Sequence, residues 1–150
     1  MKEKATSAIL EDLKNGDDNV LDQIAEYFVD DQFPIEMKKF IKQKGCTSTD
    51  LSKDCVVSKS YINQLLQEPK DGHYHKHPGK YVIVQMCMYL GATLEETNRF
   101  LKMANCNELY AKRAVDSIII RGLLTGKTGS EIEEKLEEKG FDTEKLFGGR

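Results

Sequence analysis

The sequence predicts an all-α protein. In nearly every segment apolar residues recur at three- or four-residue spacing, which is typical of amphipathic helices. Glycine or Asn-Gly stops separate these segments, and two capping-box patterns mark helix starts. The 150 residues, 39% hydrophobic and 31% charged, suit one domain, or one domain with an appended piece. We expect a cytoplasmic protein, because no apolar run reaches the ~20 residues of a membrane span and the N-terminus lacks a signal-peptide pattern.

Residues 1–32 predict an acidic helical N-terminal arm. Ala5, Ile9 and Leu13 repeat at four-residue spacing, and a second apolar stripe runs over residues 20–28. The arm holds three lysines and nine acidic residues, a net charge of −6. These helices either pack over the core with their polar side outward, shield a basic surface, or dock onto a partner protein.

Residues 33–66 predict a short helical unit of a known type. Pro34 suits the first turn of a helix that ends at Gly45, and Thr47 or Ser48 is available as the next N-cap. Residues 51–66 then predict two short helices joined by a tight turn, with apolar residues at Leu51, Val57, Ile62 and Leu65. DNA-binding helix-turn-helix units have this layout, in which the second helix presents its first residues to base edges.

The remaining helices follow a polar loop at residues 68–79. One helix is predicted from about Lys80 to Gly91, and another from the capping box of Thr93 and Glu96. A longer helix is predicted over residues 108–124, and the last begins at a second capping box and ends at Gly140. The residues expected to face inward are Val82, Met86, Cys87, Leu90, Phe100, Leu101, Tyr110, Ala114, Ile118, Ile119, Ile132 and Leu136.

Charge is unevenly distributed along the chain. Residues 33–82 hold nine lysines, five acidic residues and all three histidines, a surplus of four positive charges in a chain whose net charge is −3. Neutralisation of phosphates supplies most non-specific affinity for DNA. Nucleic acid is therefore expected to bind the middle of the chain.

Six residues carry the resemblance to a known family. Leu51, Ser52, Val57, Ser58, Ile62 and Leu65 match the helix-turn-helix pattern of the XRE family, which is similar to the lambda repressor and Cro. The segment 90–96 resembles the connection between the fourth and fifth helices of that family. The resemblance implies a lambda-repressor-like five-helix DNA-binding core over residues 33–104, with the arm before it and further helices after it. Where the family has a turn glycine this chain has Val56, so Val56 must adopt the glycine conformation or the turn differs.

A second resemblance covers the C-terminal extension, residues 105–150, together with the helix before it. Residues 94–136 resemble an extension on some XRE-type proteins of Firmicutes, and the matching positions are Glu95, Glu96, Thr97, Leu101, Ala104, Asp116, Ile118, Ile119, Glu131, Ile132 and Leu136. Family members commonly bind two half-sites as dimers. The stripe of Val115, Ile118, Ile119 and Leu123 is equally consistent with a homodimer surface and with intramolecular core.

The recognition helix is predicted over residues 58–66. Its groove-facing residues would be Lys59, Ser60, Tyr61, Asn63 and Gln64, since Lys can donate to guanine and Asn or Gln can pair with adenine. Ser58 suits an N-cap close to a phosphate, and Ser48 stands where the family has a phosphate-binding glutamine. The alternative is a solvated polar face on a helical interaction domain.

The loop after this helix adds Lys70, His73, His75 and Lys76 as candidate phosphate contacts. Three histidines at alternate positions, His73, His75 and His77, also suit zinc, copper or nickel, although no carboxylate or thiol stands at an obvious ligand spacing. We favour phosphate contact and predict no metal and no cofactor. DNA affinity is then expected to rise as the pH falls from about 7.5 to about 6 and the imidazoles become charged.

Catalytic motifs are absent from the sequence. Gly122 and Gly126 precede Lys127 and Thr128, but their spacing does not fit a phosphate-binding loop. The four cysteines stand singly and are expected to be reduced. The sequence therefore predicts a non-enzymatic regulator of transcription, a repressor that binds double-stranded DNA as a dimer. The alternative is a module that uses the helix-turn-helix scaffold to bind another protein, as an antitoxin, a phage-encoded inhibitor or an adaptor.

Overall fold

The computed structural model describes residues 4–28, 32–67 and 78–148, and this part of the chain is all-helical, with no strand in it. Its α-helices are α1 (Thr6–Asn15), α2 (Val20–Ile24), α3 (Gln32–Gln43), α4 (Ser48–Asp54), α5 (Lys59–Leu65), α6 (Lys80–Leu90), α7 (Leu94–Met103), α8 (Ala114–Leu124), α9 (Gly129–Glu138) and α10 (Thr143–Phe147). A 3-10 turn, Ala25–Tyr27, continues α2. Within the same ranges, no helix is both long and apolar enough to cross a lipid bilayer.

Local sequence signals define several helix ends. The predicted capping boxes of Thr93 with Glu96 and of Thr128 with Glu131 are both formed, and they open α7 and α9. In each box the threonine hydroxyl accepts from the backbone of the glutamate, whose carboxylate accepts from the threonine backbone. Gly91 ends α6 with φ of 71°, a left-handed conformation that glycine adopts at little cost. These predictions are confirmed.

The helix α6 forms the centre of the core. The helices α4, α7, α9 and α10 all pack against it. The sequence predicts one buried face, but Ile83, Val84, Gln85 and Met88 are buried as well, so that α6 is enclosed on nearly every side. A helix that is apolar around its whole circumference belongs in such a position.

The C-terminal extension shares this core. Ile119, Ile132, Leu136 and Phe147 are buried in the same hydrophobic cluster as the residues of α3 to α7. In the stripe that also suited a dimer surface, Ile119 is fully buried. Val115, Ile118 and Leu123 are partly buried against the cluster.

The helix predicted over residues 108–124 is shorter than expected. It begins at Ala114, and both Tyr110 and Ala114 are exposed, so the prediction that they face inward is wrong. Side chains of the flanking helices hold the preceding backbone: Leu109 N donates to Asn98 Oδ1 (3.0 Å) and Tyr110 N donates to Asp116 Oδ2 (2.8 Å). Because these amides are satisfied by side chains, the segment has no need of helical hydrogen bonds.

Asp116 organises this region. Its side chain is fully buried, although it lies on a helix with exposed charged neighbours. Its carboxylate accepts from Lys80 Nζ (2.8 Å), Tyr81 Oη (2.7 Å) and Tyr110 N (2.8 Å). Burial acts to raise the pKa of Asp116, but these hydrogen bonds outweigh burial and hold the pKa below its ordinary value. Lys80 also donates to the carbonyl of Glu108 (3.2 Å), so one ion pair joins α6, α8 and the loop between α7 and α8.

The glycines near residue 125 have structural roles. A side chain at Gly122 would overlap Ile132, so this glycine allows α8 and α9 to approach closely. Gly126 has φ of 70° and lies in the turn just after α8.

The N-terminal arm differs from the rest of the described chain. The helix α1 has no buried residue, and it packs against α2. Val20 and Ile24 are buried, but they lie outside the main hydrophobic cluster. Lys4 forms an ion pair with Asp12 (2.6 Å). The large apolar side chains Leu10, Leu13, Leu21 and Phe28 are exposed.

Candidate nucleic-acid interface

The candidate interface is formed by α4, the turn at residues 55–58 and α5. Thr47 is the N-cap of α4: its hydroxyl accepts from Asp50 N (3.1 Å), and Asp50 Oδ2 accepts from Thr47 N (3.0 Å). Ser48, the other candidate for the cap, is instead the first residue of the helix and is half-buried. Leu51 lies fully inside the core and attaches α4 to it.

The helix α5 begins at a similar cap. The hydroxyl of Ser58 accepts from Tyr61 N (3.1 Å), which confirms Ser58 as the N-cap. Ile62 and Leu65 are buried, and Val57 in the turn is buried beside them. The apolar positions expected to hold a helix-turn-helix together therefore do lie in the core.

The turn differs from the glycine turn of the XRE pattern. Throughout the described ranges, Asn105 is the sole non-glycine residue with positive φ, so Val56 does not adopt the left-handed conformation. Cys55 and Ser58, on either side of the central pair, have extended backbones. Val56 therefore does not replace the family's glycine in the same conformation; the backbone of the turn differs instead. Its amide is also occupied, since Val56 N donates to the side chain of Gln85 at 2.7 Å.

The predicted groove-facing residues share one side of α5. Lys59, Ser60, Asn63 and Gln64 are exposed, as is Ser58 before them. Tyr61 departs from the prediction, because it is half-buried and partly packed against the core. The exposed set contains a cationic donor and two carboxamides, which suits hydrogen bonding to base edges.

The other candidate contacts lie outside the described residues. Lys70, His73, His75 and Lys76 follow α5 in the sequence, and so does His77 of the metal alternative. Within residues 4–28, 32–67 and 78–148, no three His, Cys, Asp or Glu side chains are grouped in a way that could hold a metal ion.

The positive charge of the middle segment is concentrated on α3. Lys38, Lys39, Lys42 and Lys44 are exposed on or just after this helix, which carries one acidic residue, Glu36. Lys39 lies 3.7 Å from Glu36, and Lys80 is held in the more buried ion pair with Asp116. Across residues 47–67 two lysines balance two aspartates. Phosphate neutralisation would therefore depend on α3 more than on the helix-turn-helix itself.

Sequence reasoning missed the contribution of α10 to this surface. A groove of about 800 Å³ beside the start of α5 is lined by Val56, Ser58 and Tyr61 on one side and by Asp142, Glu144 and Lys145 on the other. The sequence contained one usable signal, because Gln85 is the single polar residue between Val82 and Met88 in an apolar helix. Its partners could not be read from the sequence, since they lie 29 and 62 residues away.

The cysteines are free thiols, as expected. Burial raises the pKa of Cys55 and of Cys87 to about 12, so both stay protonated near neutral pH. Cys46 and Cys106 are half-buried. A buried, protonated thiol is a poor nucleophile, so Cys55 and Cys87 act as core residues.

Comparison of the chain with protein-family models, with curated proteins and with solved structures gave no match in any of the three. The features that support a nucleic-acid interface are the two capped helices α4 and α5, their buried apolar side and the exposed polar side of α5.

Proposed function

We propose that this protein is a sequence-specific DNA-binding regulator of transcription that acts as a repressor without catalysis. The main support is α5, whose apolar side is buried through Ile62 and Leu65 while its other side presents Lys59, Asn63 and Gln64 to solvent. A recognition helix needs both properties, because it must be held rigidly while its polar side chains meet base edges.

In this proposal α5 enters the major groove. Lys59 donates to guanine, and Asn63 and Gln64 pair with adenine. The N-cap region at Ser58 approaches a phosphate, with Ser48 near the same strand. The lysines of α3 and the loop at residues 70–76 add phosphate contacts. Two copies bound to two half-sites would block access of RNA polymerase to a promoter. In this proposal the protein acts in the cytoplasm and needs no cofactor.

The test is a fluorescence-anisotropy titration against DNA from around the gene of this protein and against a scrambled duplex, at two salt concentrations. We expect tighter binding to the native DNA and affinity that falls steeply with salt. The double variant Lys59→Ala with Gln64→Ala should weaken native binding by at least about tenfold, because base contacts are lost.

A matched control is the double variant Lys139→Ala with Gln23→Ala, which removes the same two residue types. Lys139 is exposed at the C-terminal end of α9, and Gln23 is exposed in the arm. This variant should bind like the unmodified protein. Weak and equal binding of the unmodified protein to both duplexes would contradict the proposal.

One observation favours a second candidate, a module that binds another protein through the acidic arm. Four of the seven exposed large hydrophobic side chains of the described residues lie in the arm. Exposed large apolar side chains on an acidic segment are suited to contact with another protein.

A chain that begins at Gln32 separates the two candidates. If DNA binding is the function, removal of a segment with net charge −6 should leave discrimination intact and tighten DNA binding by about two- to tenfold at low salt. The gain should diminish at high salt because the effect is electrostatic. Failure of both chains to bind DNA selectively would favour the protein-interaction module.

A further inference from the structure

The fully buried side chain of Gln85 connects two parts of the molecule that are distant in sequence. Its Oε1 accepts from Val56 N in the turn before α5 (2.7 Å), and its Nε2 donates to the carbonyl of Phe147 at the end of α10 (3.3 Å). Buried amides are costly unless hydrogen-bonded. A carboxamide is suited to this place because it accepts at one atom and donates at the other.

Both partners lie at the edge of the candidate interface. Val56 comes two residues before Ser58, the N-cap of α5, and the end of α10 faces the same groove. Phe147 is itself fully buried, which anchors α10 in the core. The side chain of Gln85 thus ties the turn to an element that the core holds rigidly.

The helix α5 needs such support. It has seven residues, and helices this short are marginal without tertiary contacts. In the turn before it, Val56 does not adopt the left-handed backbone conformation of the glycine in the XRE pattern. Ile62 and Leu65 attach α5 to the core, and the orientation of its N-terminal end also depends on what holds the backbone of Val56.

We propose that Gln85 is a positioning residue for sequence recognition: by holding the Val56 amide against the anchored end of α10, it sets the orientation of α5 on DNA. This inference rests on the proposed DNA-binding function. Base contacts require the recognition helix in one register, whereas phosphate contacts tolerate small rotations. Loss of the Gln85 hydrogen bonds should therefore reduce discrimination between sequences and leave non-specific binding unchanged.

The first variant is Gln85→Met, which keeps the length of the side chain and removes both hydrogen bonds. The exchange of the Val56 amide with solvent, followed by NMR, should become roughly tenfold faster. The ratio of native-DNA to scrambled-DNA affinity should fall about tenfold, in the range of one base contact. Affinity for the scrambled duplex should stay within about twofold.

Thr97→Val is the matched control. Thr97 is also a fully buried polar residue, but its hydroxyl donates to the carbonyl of Thr93, the N-cap of its own helix (2.8 Å). Its loss should lower the free energy of unfolding without any change in the affinity ratio. If Thr97→Val lowers the ratio as much as Gln85→Met, the effect follows stability and the positioning role is wrong.

Gln85→Glu supplies a rescue and covers the case in which Gln85→Met does not fold. A buried carboxyl is protonated at mildly acidic pH, and it then accepts and donates as the carboxamide does. At about pH 5.5 the affinity ratio should approach that of the unmodified protein at the same pH, and at about pH 8 it should fall.

The outcomes separate the two proposals. An unmodified protein that does not discriminate between the duplexes overturns the DNA-binding function and the positioning role with it. Discrimination in the unmodified protein that is unaltered in Gln85→Met, despite faster Val56 exchange, overturns the positioning role alone. Unchanged Val56 exchange also overturns it.

Discussion

Residues 6–28 and residues 114–147 both form amphipathic helices, yet they relate differently to the hydrophobic core. The C-terminal helices place Ile119, Ile132, Leu136 and Phe147 in the main cluster, where each is almost completely buried. In the arm, α1 contributes no buried residue, and four large apolar side chains are exposed.

This difference shows that an apolar stripe indicates a helix without showing what covers it. The arm and the extension have similar helical periodicity, but the extension lies against α6, which is apolar around its circumference. A helix of that kind must be covered on every side, and α9 and α10 complete the cover. Among the described residues, the helices of the arm pack chiefly against each other, and Val20 and Ile24 lie outside the main cluster.

The largest expected difference between the two regions is in the free energy of unfolding when a phenylalanine in each is replaced by alanine. Phe147→Ala should lower the free energy of unfolding by about 3–5 kcal/mol, because it opens a cavity in the core. Phe28→Ala in the arm should cost less than about 1 kcal/mol, since Phe28 is 44% exposed. Urea unfolding followed by circular dichroism measures both values. Equal costs would mean that the arm is packed as tightly as the extension.

The next effect concerns the ion pair that joins the extension to α6. Asp116→Asn should lower the free energy of unfolding by about 3 kcal/mol at pH 7, because Lys80 loses a buried partner. The exposed Asp22 supplies a control, and Asp22→Asn should have little effect.

The contribution of Asp116 also depends on pH. Because folding lowers its pKa, the stabilisation is fully present above the ordinary value of 3.8 and is lost as the pH falls through the lower pKa of the folded state. Urea midpoints of the unmodified protein and of Asp116→Asn should therefore differ by a constant amount from about pH 5 to 8 and converge below pH 3.8. A constant difference down to the lowest pH would contradict the assigned direction of the shift.

The smallest expected change in the free energy of unfolding concerns the turn before α5, which lies beside the extension. Val56→Gly should destabilise the protein by about 0.5–1 kcal/mol, because glycine adds conformational entropy to the unfolded chain. No backbone strain is relieved in return, since Val56 does not have a positive φ. Asn105→Gly is the opposite case: Asn105 has φ of 58°, so glycine should be neutral or stabilising by up to about 1 kcal/mol. Urea unfolding compares the two. A stabilising Val56→Gly would show that the turn is strained after all.

Much of the candidate interface could be predicted from local sequence. The spacing of Leu51, Val57, Ile62 and Leu65 indicated which sides of α4 and α5 are buried, and Ser58 was identified as an N-cap by its residue type. Such predictions succeed because helix periodicity and capping depend on residues three or four positions apart. The DNA-binding role of the exposed residues remains a prediction.

Other features depended on side-chain contacts that helix periodicity and capping do not specify. Asn98 and Asp116 accept from the backbone of residues 109 and 110, and they replace the helix that the apolar spacing predicted there. The half-burial of Tyr61 and the position of α10 beside α5 likewise depend on the packing of the extension.

The sequence by itself determined the all-helical class, the capped helix starts, the glycine stops and the buried sides of α4 and α5. The tertiary structure decided which apolar sides are covered, where α8 begins and which groups hold Val56 and Asp116. The physical reason is one of range. Helix periodicity and capping act within one or two turns of the chain, whereas burial of α6, Gln85 and Asp116 requires partners that only folding brings into contact.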